Sequence, residues 1–123
     1  MAHFSQEQNY NWGIVDNYIA VNGRTDNSSY NPGASIIQFS MSPGYDWGGR
    51  PFNYTLTLER QVGGNWIAEE LISGSFTRST TRSFTLHGKP SGTYRIKGYF
   101  GYDTQPSAQN QNITGTFLVR RSS

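Results

Sequence analysis

Hydrophobic and polar residues alternate with period two along most of this chain. In the segment over 52–60, Phe52, Tyr54, Leu56 and Leu58 fall on one side, and Asn53, Thr55, Thr57 and Glu59 on the other. That is the pattern of a strand with one buried and one wet face, as in an antiparallel sheet. The segment over 94–100 repeats it, with Tyr94, Ile96 and Phe100 inward and Arg95, Lys97 and Tyr99 outward. The same logic predicts strands over 35–42 (Ile37, Phe39 and Met41 on one face), 82–86 (Phe84, Leu86) and 113–119 (Ile113, Phe117, Val119). A further strand is predicted over 10–21, where the apolar face shifts near Asp16-Asn17 as a bulge would shift it.

The run over 66–72, Trp66-Ile67-Ala68-Glu69-Glu70-Leu71-Ile72, contains good helix formers. It is short for a helix and ordinary for a strand, and Gln61-Val62-Gly63-Gly64-Asn65 ahead of it suits a hairpin loop. It is read as a strand. The connectors, over 22–27, 42–51, 87–92 and 103–110, are rich in Gly, Pro, Asn and Asp, the residues that turns require. About seven strands punctuated by such turns predict an all-β, single-domain antiparallel two-layer sandwich over 10–121, after a tail over 1–9. A small closed β-barrel is the alternative, because it has the same alternation and turn spacing. The sandwich core is expected to hold Ile37, Phe39, Tyr54, Leu56, Leu58, Phe84, Leu86, Tyr94, Ile96, Phe117 and Val119.

Composition changes the picture in three ways. With seven Phe, eight Tyr and three Trp, the core is built largely from rings, and a net charge of +2 excludes the highly charged composition of a disordered chain. The absence of cysteine removes disulfides, thiolate metal sites and cysteine nucleophiles. The basic residues are scattered rather than clustered on one stretch, so no nucleic-acid partner is expected. The longest apolar run, Tyr18-Ile19-Ala20-Val21, is too short for a membrane span or a signal-peptide core. The hydroxyl-rich, lysine-poor composition is that of an extracellular β-protein, so a secreted or cell-surface location is expected, the chain being the mature form without its signal peptide.

Catalytic chemistry finds little support. His3 and His87 stand alone, and no residues have metal-ligand spacing, so no catalytic residue, metal or cofactor is expected. Glu69 and Glu70 are adjacent and on a regular strand face opposite sides, which prevents them from flanking one bond as a glycosidase pair does.

The segment Leu86-His87-Gly88-Lys89-Pro90-Ser91-Gly92-Thr93-Tyr94-Arg95-Ile96 resembles the corner entering a late strand of immunoglobulin-like and fibronectin-type domains. Gly92 precedes Tyr94 by two and the inward Ile96 follows by two, with Ile96 standing where immunoglobulins proper place a cysteine. The resemblance implies that Tyr94 is buried with its hydroxyl bonded to nearby backbone. It also implies that the loops carrying Tyr45, Asp46, Trp47 and Arg50, and then Tyr102 and Asp103, share one end of the sandwich, with the segment near Arg78 and Arg82 arriving there too.

Tyr45, Trp47 and Arg50 lie in a Gly/Pro-rich loop, where rings beside an arginine suit stacking on sugars or on partner side chains. Trp47 either presents its ring there or folds back to plug the end of the core. The expectation is a non-enzymatic extracellular binding module that takes a carbohydrate or a protein surface through Tyr45, Trp47, Arg50 and Tyr102. Two alternatives stand beside it: a secreted self-assembling or membrane-acting protein and an inhibitor of an extracellular hydrolase. The Ser/Thr-rich stretch over 73–84 motivates the former; as plain structure it reads as a hairpin between consecutive strands.

Overall fold

The computed structural model describes residues 21–43, 52–102 and 109–121. Its strands are β1 (Val21–Thr25), β2 (Ser29–Tyr30), β3 (Ile36–Pro43), β4 (Phe52–Val62), β5 (Asn65–Phe76), β6 (Thr80–Thr85), β7 (Gly92–Tyr102), β8 (Gln109–Ile113) and β9 (Phe117–Val119). One sheet has the order β1–β3–β6. The other runs β2–β9–β7–β4–β5, with β8 also on β7. Because β4 occupies one edge of β7 from Tyr94 to Tyr102, β8 and β9 take successive stretches of its other edge. The tail over 1–9 and the strand expected from residue 10 to residue 20 lie outside the described residues.

Alternation explains why these segments pair as they do. Ile37, Phe39, Met41 and Phe84 from the smaller sheet meet Tyr54, Leu56, Leu58, Tyr94, Ile96, Phe100, Phe117 and Val119 from the larger one in a single buried cluster. Two layers closing on a shared apolar interior make a β-sandwich. Among the described residues each sheet ends in edge strands, β1 and β6 in one and β2 and β5 in the other, which a closed barrel would not have. The eleven residues of the expected core are all buried, joined by Tyr30, Met41, Phe76 and Phe100. The expected strand over 66–72 lies within β5. It is joined to β4 by a hairpin turn in which Gly63 and Gly64 have φ of 57° and 86°, the paired left-handed geometry of a type I′ turn.

Four features differ from the sequence reading. Residues 22–25, expected as part of a connector, belong to β1: Gly23 and Thr25 are buried opposite Met41 and Phe39, and such small inward residues leave no hydropathy signal. The strand expected over 113–119 is broken at Thr114. There the Thr114 amide donates to the Ile96 carbonyl (2.9 Å) and the Thr114 hydroxyl accepts from the Ile96 amide (2.9 Å), so a side chain replaces one rung of the ladder. Third, β2 pairs with β9 in parallel, where the sequence predicts only antiparallel pairing. Tyr30 is thereby buried against Phe117, with its hydroxyl donating to Asp26 (2.5 Å). Finally, the stretch over 73–84 is not a hairpin. Its first part pairs with β4 and its second with β3, so 77–79 carries the chain from one sheet to the other.

The corner before β7 has the geometry expected of it. Tyr94 is fully buried, stacks on Phe117 at 6.4 Å, and donates from its hydroxyl to the Pro90 carbonyl at 2.6 Å. Burial, reinforced by the negative charge of Glu69, pushes the phenol from its ordinary 10.0 up to about 12, with Arg60 and Arg121 partly offsetting the rise. Tyr94→Phe should cost about 0.5–1.5 kcal/mol, the usual net value of one hydrogen bond. A phenol whose folded value is raised stabilises the fold fully below its unfolded value and loses that contribution as pH climbs through the folded one. Urea unfolding from about pH 9 to 12 should therefore show stability falling above about pH 10, with a shallower fall in Tyr94→Phe. Tyr30, raised for the same first reason, adds to the fall in both proteins. Parallel curves for the two proteins would show that Tyr94 titrates as it does in the unfolded chain.

Candidate functional site

One end of the sandwich collects the stems of three loops. Phe52, which opens β4, pairs with Phe76 at the end of β5 and with Tyr102 at the end of β7. The link over 77–79 leads at once into β6, whose Thr80 pairs with Met41 near the end of β3. The connections over 44–51, 77–79 and 103–108 therefore leave from the same end. Tyr45, Trp47 and Arg50 fall outside the described residues. The backbone of Tyr102 is at this end, as the last residue of β7.

The stems are anchored beneath this end. Phe76 meets Tyr54 edge-on, with ring centroids 5.8 Å apart, and Arg82 donates to the Tyr54 hydroxyl at 2.6 Å and to the Ser73 carbonyl at 3.3 Å. Arg82 occupies a core-side position of β6, opposite Phe39, and so bridges the edges of the two sheets. This brace joins β5 and β6 on either side of the link over 77–79, and a rigid base is what a recognition loop needs.

On the outer face of the larger sheet, Glu59 accepts from Arg95 (2.7 Å) and pairs with Lys97 (3.3 Å). The Arg95 guanidinium lies 4.2 Å over the Trp66 ring, and Lys97 lies 5.6 Å from the centre of Tyr99. The outward placement of Arg95, Lys97, Tyr99 and Glu59 was legible from alternation. Their assembly with Trp66 required the register.

Every described carboxylate has a partner within the fold. Asp26 accepts from Tyr30 and from the Gln38 amide, Glu59 is held by Arg95 and Lys97, Glu69 by Arg60 (2.6 Å) and Glu70 by Lys89 (2.6 Å). The expected division of Glu69 and Glu70 between opposite faces is corrected by a bulge. Leu58 pairs with Glu70 and Glu59 with Ala68, leaving Glu69 as the extra residue. Glu70 thus shares the side of Leu58, and the partner of Glu69, Arg60, sits opposite the buried Tyr94, so both carboxylates lie on the core side, each with its own cation. His87 is exposed in a turn whose φ of 77° at Gly88 suits glycine. Among the described residues no three His, Asp or Glu side chains come close enough to hold a metal ion, and no helix is long and apolar enough to cross a membrane. No protein-family model matches the chain, and neither does any curated protein.

Proposed function

We propose that this protein is a non-enzymatic, extracellular carbohydrate-binding module whose site is the loop end of the sandwich, with Tyr45, Trp47, Arg50 and Tyr102 as its contact residues. The observation that carries the reading is the row Phe76–Phe52–Tyr102, which brings the stems of three loops to one end of a braced scaffold. Aromatic side chains in such loops cover the apolar faces of sugar rings, and an arginine among them supplies planar donors to the hydroxyls.

Binding should be measured on a glycan array, in parallel with pull-down from an extracellular extract. Trp47→Ala and Tyr102→Ala should each weaken glycan binding about tenfold or more, the effect of removing a buried aromatic anchor. Full binding by both variants would move the site elsewhere, and capture of a protein without any glycan binding would replace sugar by a protein partner.

A further inference from the structure

An open groove of about 550 Å³ crosses the smaller sheet beside the loop end, lined by Gly23, Arg24, Ser40, Met41, Ser42, Ser79, Thr80 and Thr81. Its size is that of a small-ligand site. Its lining comes from all three strands: Arg24 pairs opposite Ser40, and Ser40 opposite Thr81, forming one polar row across the sheet. The Ser40 and Thr81 hydroxyls are 3.2 Å apart and hydrogen-bonded to each other, which leaves further donor and acceptor capacity on both. Ser42 and Ser79 add further hydroxyls to the lining, and the side chain of Met41 belongs to the core beneath.

The charge of the groove is what selects its ligand. Arg24 is exposed and, among the described residues, is the only charged residue of the lining. Among the described residues no carboxylate pairs with it, since each is already held by another partner. A guanidinium without an acidic partner among the described residues, beside a field of hydroxyls, complements a ligand with one planar or tetrahedral anion and several hydroxyl groups. We infer that this groove binds an acidic saccharide unit, a uronate or a sulfated sugar, with its anionic group on Arg24 and its hydroxyls on Ser40, Ser42 and Thr81. The groove extends the proposed sugar site from the loop end onto the outer surface of β1, β3 and β6, and the inference rests on that sugar-binding reading.

The test uses the whole chain on three sets of oligosaccharides matched in length: neutral, uronate-containing and sulfated. Acidic sets should bind more tightly than the neutral set, and their advantage should shrink as salt is raised. Whichever acidic set binds better identifies the anion. Arg24→Gln should cut acidic binding about tenfold to a hundredfold, the range of a charge-assisted hydrogen bond, while leaving neutral binding and the melting temperature unchanged. Arg24→Lys should restore part of the loss, because it keeps the charge without the fork. Equal binding of neutral and acidic sets, or acidic binding indifferent to Arg24→Gln, would overturn the inference and leave the sugar-binding reading standing. Failure to bind any of the three sets would overturn both.

Discussion

Leu56→Ala should lower the unfolding free energy by about 2–5 kcal/mol, toward the upper half of that range. Leu56 is fully buried at the middle of β4, with β5 on one side and β7 on the other. Its partner on β7 is Gly98, itself buried, and its partner on β5 is Ile72. A glycine has no side chain to swing into the space a truncated leucine leaves, so the cavity persists on that side and its lining loses contacts outright. Leu71 is the internal control. It lies on the opposite face of the same sheet, beside Thr57, and is 61% exposed. Leu71→Ala should stay within about 0.5 kcal/mol of the parent. Urea titration with an unchanged slope measures both. Similar losses at the two positions would contradict the placement of the core on the Leu56 side.

That face was legible in the sequence because β4 and β7 are half-buried, so their apolar residues recur at every second position and the turns around them are marked by Gly and Pro. The signal fails where burial is not carried by apolar residues. In β1, Gly23 and Thr25 take inward positions beneath a polar sequence. Tyr30 belongs to a strand too short to alternate, and it is held in the core by the nearby Asp26 and by Phe117, which is distant in the chain. Arg82 sits at an inward position although it is charged, because at the edge of β6 its guanidinium reaches Tyr54 on the facing sheet. The bulge that gathers Glu69 and Glu70 on one side depends on how β5 registers against β4, and no local pattern encodes it.

The candidate site divides in the same way. The aromatic and cationic residues of the loop over 44–51 were visible as a cluster in the sequence, and strand connectivity alone places their stem beside that of 103–108. The groove was not visible. Arg24, Ser40 and Thr81 are far apart in the chain and become neighbours only through the pairing of β1 and β6 on either side of β3. Hydroxyl-rich strands read as ordinary solvent faces until a pairing shows which hydroxyls share a row with Arg24.

Gly74→Ala should destabilise the fold by about 1–3 kcal/mol, although residue 74 is exposed and the change adds a single methyl group. The added carbon would lie 2.7 Å from the Tyr54 hydroxyl oxygen, 2.9 Å from the ring carbon that bears it and 3.0 Å from an Arg82 nitrogen. A free side-chain tip could move aside at little cost, but this one is fixed. The Tyr54 ring is buried and packed edge-on against Phe76, and its hydroxyl accepts from Arg82 at 2.6 Å. Arg82 also donates to the Ser73 carbonyl, next to the site of the new methyl group. Relief of the clash must therefore shift a core ring, break the brace between the two sheets, or both. Tyr54→Phe removes the nearest oxygen and leaves the ring carbon in place, so the same Gly74→Ala change should cost less in that background without becoming free. A double-mutant cycle reads the difference as a coupling of about 0.5 kcal/mol or more. Strict additivity of the two changes, or an alanine at 74 as stable as the parent, would show that the Tyr54 ring moves aside freely and that Arg82 does not fix it.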